Sequence, residues 1–202
     1  MKHSQKTTKS EWMLTSLFVG EIFVKTKEIL GLIDLLNQQL EAANKSEEID
    51  RTFGVFLLLQ SVLLHSAQLS MIFHPTWKKR RHRGHLLRTA FNMPDEIGFL
   101  QDRKMRDHIA HMDERLHAWY EESPNKVFVR RFFGERGGIA GDAITSGDIF
   151  EQYIPEERVF IFRGDEYDMI RLLSCTQKIM KKAEIINKHA WWTDDFKSYF
   201  LE

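Results

Sequence analysis

The stretch QDRKMRDHIAHMDERLHAWY occupies residues 101–120 and carries more chemistry than a structural helix requires. Its apolar residues recur at steps of three and four, which places them on one stripe of an α-helix facing a core: Met105, Ile109, Met112 and Leu116. The residues around this stripe are charged or are histidines: Arg103, Arg106, Asp107, His108, His111, Asp113, Arg115 and His117. Histidine titrates near neutral pH, so this helix is a candidate acid–base site. The alternative is a solvated face of ion pairs.

The composition predicts one globular domain spanning residues 1–202, a length sufficient to bury a core. The 29 basic and 29 acidic residues balance, so a polyanionic partner must bind a local patch. The single cysteine, Cys175, cannot form an internal disulfide, and the polar N-terminus has no apolar signal core. We therefore expect a cytoplasmic protein.

Helical spacing and helix breakers predict a bundle core over residues 10–122. The first helix is expected over residues 10–44, and the second runs from about residue 46 to Phe73, ended by Pro75. The second helix is the most apolar, but polar residues interrupt it, so we expect a buried core helix and no membrane contact. His65 within it is expected to be a satisfied core histidine.

The chain changes character over residues 123–163. Two segments rich in β-branched and aromatic residues, 126–133 and 158–163, predict an antiparallel strand pair. The glycine-rich residues 134–147 between them predict a mobile connection, because they lack the context and the lysine of a phosphate-binding loop. The last long helix is expected within residues 164–190, capped by Asp165. An aromatic tail to residue 202 is expected to dock on the domain or on a second copy.

The most basic run of the chain follows the second helix and is expected to form a loop. It comprises Lys78, Lys79, Arg80, Arg81 and Arg83. Such a run can neutralise several phosphates, and Trp77 beside it can stack on a base. The alternatives are a solvated loop or one that meets acidic groups elsewhere in the protein.

The helix at residues 101–120 is compatible with three chemistries. A metal site could use His108 and His111, which lie three apart, but it needs a third ligand from elsewhere. Nucleophilic catalysis is disfavoured, because no nucleophile-elbow motif is present. In phosphodiester cleavage, Arg106 would bind the phosphate and His111 would act as general base or acid, without metal or other cofactor. Positions five apart on a regular helix point about 140° apart, so this pair requires a helix start, a distortion or two chains.

The sequence RDHIAHMDERL at residues 106–116 resembles the Arg-polar-x-x-x-His signature of the HEPN family (higher eukaryotes and prokaryotes nucleotide-binding). The resemblance implies an all-α bundle, usually dimeric, whose signature helices meet at the interface. In active members it also implies metal-independent RNase activity that leaves a 2′,3′-cyclic phosphate. Arg106 and His111 would then be the catalytic pair, with Asp107 orienting them and with His108 and Arg115 as secondary candidates.

We therefore expect a mainly α fold, a HEPN-like bundle of four or five helices with a small antiparallel β insert before the last long helix. The expected function is a homodimeric, metal-independent endoribonuclease, a toxin with a cognate antitoxin or a defence effector, to which the basic run steers RNA. The alternative is a non-catalytic interaction or nucleotide-binding module that dimerises through its charged helix.

Overall fold

The protein is mainly helical in the computed structural model, which describes residues 7–43, 49–93, 104, 108, 111–123, 125–136 and 144–201. Its helices there are α1 (Lys9–Ala43), α2 (Ile49–Phe73), α3 (Arg81–Ala90), α4 (Met112–Glu122), α5 (Met169–Ile186) and α6 (Asp194–Ser198). A 3-10 turn, Lys78–Arg80, precedes α3. The strands are β1 (Val129–Phe133), β2 (Ile149–Ile154), β3 (Val159–Phe162) and β4 (Asp165–Asp168). The predicted mainly α class is confirmed.

The chain divides into two compact units. The first consists of Met1–Leu30, His65–Gln101 and Cys175–Glu202. The second consists of Gly31–Leu64 and Asp102–Ser174. The ranges show that α1, α2 and α5 each contribute residues to both units.

The first unit contains the aromatic C-terminal tail. Trp12 of α1 contacts Phe196 and Phe200 edge-on, with ring centroids 6.4 and 5.6 Å apart. All three side chains are buried. Docking of the tail onto its own chain, one of the two predicted alternatives, is therefore what the structure shows.

Helix α2 ends where the sequence predicts, and many of its apolar side chains are buried, as predicted for a core helix. It ends at Phe73, two residues before Pro75, and His65 donates to Glu28 over 2.9 Å as a satisfied histidine. Thr52–Phe73 is the one described helix long and apolar enough to cross a membrane, yet half of its most apolar window is buried in the protein. This burial is typical of a core helix.

The sheet of the second unit is mixed, so the prediction of a purely antiparallel insert is wrong. Its order is β1-β2-β3-β4. Strands β1 and β2 run parallel, with Val129 opposite Ile149, whereas β2–β3 and β3–β4 are antiparallel. Parallel neighbours need a crossover connection, and the glycine-rich segment lies between β1 and β2 in the sequence. Residues 137–143 of that segment lie outside the described residues.

Strand β2 is not predicted by the sequence pattern, because Glu151 and Gln152 interrupt its apolar residues. Both side chains are nevertheless buried. Glu151 accepts hydrogen bonds from Gln60 (2.6 Å) and Arg131 (3.1 Å) and pairs with Arg130 (3.1 Å). The carboxylate is tolerated there because three donors from distant parts of the chain satisfy it.

Asp165 does not cap the last long helix, contrary to the prediction. It begins β4, and α5 starts only at Met169. Asp168 caps this helix, because its Oδ1 accepts from the backbone N–H groups of Ile170 and Arg171 at 2.9 Å each.

The predicted continuous helix over residues 102–120 is interrupted. His111 is the N-cap of α4 and has non-helical backbone angles of φ −126° and ψ 48°. The buried residue of α4 is Trp119. Its ring packs against Phe128, with ring centroids 4.5 Å apart. Helix α4 therefore begins directly after His111, the last residue of the Arg-x4-His motif.

Candidate functional site

The predicted catalytic residues are described only in part. Arg106 and Asp107 lie outside the described residues. His111 is described, and about half of its side chain is exposed (48%). Its Nδ1 lies 3.3 Å from Oε1 of the exposed Glu114, one turn further along α4. The His111 side chain is therefore accessible to a molecule that binds at the surface.

His108 occupies a different environment from His111. It is 6% exposed and its ring lies 4.7 Å from that of Phe162. Its Nε2 donates to Oδ2 of Asp165 over 2.8 Å, and Oδ1 of the same carboxylate accepts from Lys104 over 2.6 Å. The arrangement fastens the helical residues 104 and 108 to the first residue of β4.

Burial lowers the pKa of His108 and outweighs the hydrogen bond and charge of Asp165, which act in the opposite direction. The charge of Arg115, the other secondary candidate, adds to this lowering. Partial burial by itself raises the pKa of Asp165, but Lys104 and His108 together bring it below its ordinary value. His108 is therefore best described as a neutral structural histidine.

The alternative of a metal site at His108 and His111 receives no geometric support. The two side chains have separate carboxylate partners, Asp165 and Glu114. Among the described residues no group of three or more histidine, cysteine, aspartate or glutamate side chains could hold a metal ion.

The predicted basic run is surface-exposed and is not a loop. Lys78, Lys79 and Arg80 form the 3-10 turn, and Arg81 begins α3. All four are exposed, and the first turn of α3 contains no acidic residue. Basic charge at a helix N-terminus is unfavourable by about 0.3–1 kcal/mol per charge. Helix stability therefore does not explain why these charges lie here.

Trp77 and Arg80 lie next to each other at the start of this run. Trp77 is 67% exposed, and the guanidinium of Arg80 lies 5.2 Å from the centroid of its indole. An exposed tryptophan beside a guanidinium is a surface on which a planar group can stack.

Arg83 lies one helical turn after Arg80. Neighbouring groups hold its side chain in place, but none of them neutralises its positive charge. Its guanidinium lies 3.9 Å from the ring centroid of Phe18, and one terminal nitrogen donates to the carbonyl of Ile72 over a long 3.4 Å. Its Nε is buried and has no hydrogen-bond partner. No carboxylate pairs with it in the described ranges, and burial, followed by repulsion from Arg80, lowers its pKa.

A cavity of about 290 Å³ opens beside these side chains. It is lined by Met71, Pro75, Thr76, Trp77, Arg80 and Arg83. Its lining contains two guanidinium groups and no carboxylate, so it is electropositive.

A second cavity, of about 420 Å³, lies against the sheet and is lined in part by Arg136, Arg163, Glu122 and Glu166. Its arginines are already paired. Arg136 binds Glu157 and Glu166 over 2.8 and 2.6 Å, and Arg163 binds Glu122 over 2.6 Å. These ion pairs join different parts of the second unit and are sufficient to explain the charged lining.

Two of these features could not be predicted from the sequence. Asp165 lies 57 residues from His108, and no local pattern joins them. Arg83 is one of five equivalent cations in the sequence, and only its burial beside Phe18 distinguishes it.

No known protein family matches the chain, and neither a curated protein nor a solved structure is significantly similar to it.

Proposed function

We propose that the protein is a HEPN-like, metal-independent endoribonuclease. The observation that carries the proposal is the position of His111, half-exposed at a non-helical residue where α4 begins. In a regular helix, residues five apart point about 140° from each other. Because His111 is not in a regular helical conformation, that angle does not fix its direction, and we propose that it acts on the same phosphate as Arg106.

In the proposed reaction His111 removes the proton from a ribose 2′-hydroxyl. The 2′-oxygen attacks the adjacent phosphorus, the bond to the 5′-oxygen breaks, and the leaving oxygen takes up a proton. Arg106 stabilises the negative charge that develops on the phosphoryl oxygens, and Asp107 orients the pair. The products are a 2′,3′-cyclic phosphate and a 5′-hydroxyl.

The exposed basic run supports RNA as the substrate. Lys78, Lys79, Arg80 and Arg81 are solvent-exposed cations in a chain of zero formal net charge. Such a local patch attracts a polyanion that the whole protein does not attract. The proposal includes a homodimer, a cytoplasmic location and a role as a toxin with a cognate antitoxin or as a defence effector.

The test is cleavage of a mixed set of labelled RNAs in excess EDTA. Wild type should cleave and leave cyclic-phosphate ends, and His111→Ala should not. His117→Ala is the matched control, because His117 is an exposed histidine of the same helix and should keep full activity. Circular dichroism of both variants checks that the fold is kept.

The competing proposal is a non-catalytic interaction module, in which the charged helix forms an interface. The Glu114 partner of His111 favours it, because a contact of this kind needs no substrate. Cleavage that survives in His111→Ala would refute the assignment of His111 as the catalytic residue. No cleavage by wild type would favour the module.

A further inference from the structure

The cavity beside Trp77 combines three properties that a nucleotide requires. It has about 290 Å³ of space, close to the lower end of the range of small-ligand sites, roughly 300–1,000 Å³. Its lining carries two guanidinium groups, those of Arg80 and Arg83. It also carries the most exposed tryptophan side chain among the described residues, that of Trp77.

The charge in this cavity is fixed in place before any ligand binds. Phe18 supports the guanidinium of Arg83 from one side at 3.9 Å, and the carbonyl of Ile72 accepts one of its hydrogens. Neither contact neutralises the positive charge. A guanidinium that is partly removed from water without a carboxylate is costly to the folded protein. An incoming anion would offset that cost, and the fixed position reduces the entropy lost on binding.

The cavity offers a stacking region at Trp77 and a charged region that extends from Arg80 to Arg83. Arg80 lies against Trp77 at 5.2 Å, whereas Arg83 lies one helical turn away against Phe18. Guanidinium groups bind phosphate oxygens through paired N–H donors. Indole rings stack on nucleobases of any sequence. A ligand with a phosphate next to a planar base therefore matches both regions.

We propose that this cavity binds one nucleotide unit of single-stranded RNA, with its base stacked on Trp77 and its phosphate held by Arg80 and Arg83. The inference rests on the proposed function, because it describes how the RNA substrate is held. The inference concerns RNA binding, whereas the proposed function concerns RNA cleavage. Either proposal can therefore fail while the other holds.

The test measures binding of a short, fluorescein-labelled 2′-O-methyl RNA, which cannot be cleaved through its 2′-position. Trp77→Ala should weaken binding about tenfold, as expected for the loss of one stacked base. Trp192→Ala is the matched control, since Trp192 is 63% exposed and lies in the C-terminal tail. It should bind like wild type.

The charge is tested in the same way. Arg83→Gln should weaken binding about tenfold, whereas Arg81→Gln, an exposed arginine outside the cavity, should weaken it only about twofold. Arg83→Lys keeps the charge but loses the paired donors, and we expect intermediate affinity. Thermal unfolding of each variant shows whether the half-buried position tolerates the change, and Arg83→Lys is the informative variant if Arg83→Gln is unfolded.

Competition distinguishes the possible sources of the nucleotide. Displacement of the labelled RNA by AMP would show that the cavity accepts a free nucleotide. Binding of RNA that AMP does not displace, but that Trp77→Ala weakens, would show that the unit must belong to a strand. Inorganic polyphosphate should displace the RNA less well than unlabelled RNA.

The proposal is overturned if Trp77→Ala binds like wild type, or if Arg81→Gln and Arg83→Gln weaken binding equally. Either result would mean that the basic run attracts RNA by diffuse charge alone. A different failure belongs to the proposed function. If binding depends on Trp77 and Arg83 but no RNA is cleaved, the cavity is a nucleotide site in a non-catalytic module.

Discussion

The Nε2 atom of the buried His108 lies 2.8 Å from Oδ2 of the partly exposed Asp165, so two residues far apart in the chain form one pair. Lys104 donates to the other oxygen of the same carboxylate over 2.6 Å. This cluster joins Lys104 and His108 to the first residue of β4. The stability of the protein should therefore depend on pH, because burial favours the neutral form of His108.

We predict that acidification destabilises the protein through His108. Its folded-state pKa is below the ordinary value of 6.5, so the unfolded chain binds the proton first. The stabilising contribution is fully present above the unfolded pKa and is lost as the pH falls through the folded pKa. The lowered pKa of Asp165 adds a further loss below its ordinary value of 3.8. Denaturant unfolding from neutral to acid pH measures the effect.

The control for this prediction compares two histidine variants. His108→Gln should reduce the dependence of the unfolding free energy on pH, whereas His117→Gln, at an exposed position, should leave it unchanged. The same pH dependence in both variants would contradict the assignment to His108.

We predict that Glu151→Gln lowers the free energy of unfolding by about 2 kcal/mol, the magnitude of a hydrogen bond to a charged group. Glu151 is fully buried and is satisfied by Gln60, Arg130 and Arg131. The amide replaces the carboxylate at equal size, so the change removes charge and not packing. Urea unfolding measures it, and Glu156→Gln in the exposed turn after β2 is the control. Equal stability of the two variants would refute the prediction.

We predict opposite effects of alanine at two helical glycines. A Cβ at Gly84 would lie 2.6 Å from Cδ of Pro75 and 2.7 Å from the carbonyl oxygen of Phe73. Gly84→Ala should therefore destabilise the protein by about 1–3 kcal/mol. A Cβ at Gly20 meets nothing within 4 Å, so Gly20→Ala should stabilise α1 by up to about 1 kcal/mol. Thermal unfolding compares them, and a stabilised Gly84→Ala variant would show that α3 can move away from Pro75.

We predict that RNA affinity depends strongly on salt and that the dependence arises from the basic run. The logarithm of the affinity should fall linearly with the logarithm of the salt concentration, by about 0.7 per neutralised phosphate of a single strand. Lys78 and Lys79 are exposed, and replacing both by alanine should make this slope shallower by about 0.7 for each lysine that neutralises a phosphate. Titrations at several salt concentrations measure the slope. An unchanged slope would place the phosphate-binding groups elsewhere.

Helix positions can be predicted from the sequence because their signals are local. The expected first helix, residues 10–44, differs little from the observed Lys9–Ala43, and Pro75 correctly indicates the end of α2. The spacing of apolar residues and the position of a proline determine the conformation of the few residues around them. Helix α3 begins at Arg81, inside the run that is expected to be a loop, because basic side chains do not indicate a helix start.

The sheet and the site can be predicted only in part, because their decisive contacts are not local. The segments around β1 and β3 are apolar and predict strands, whereas β2 contains Glu151 and β4 is mostly acidic. The choice of His111 as the candidate catalytic histidine comes from the resemblance of residues 106–116 to a known signature, not from spacing alone. Its non-helical backbone could not be predicted, because the apolar stripe continues through it.

The sequence by itself determined the mainly α class, the end of α2 before Pro75, and the set of candidate cations and histidines. Periodicity, breakers and charge are local properties, so they can be read along the chain. Only the tertiary structure decided which of these residues share an environment. It buried His108 against Asp165, exposed His111, and fixed Arg83 against Phe18 without a carboxylate among the described residues. These differences arise from burial and from partners distant in sequence, which no local pattern specifies.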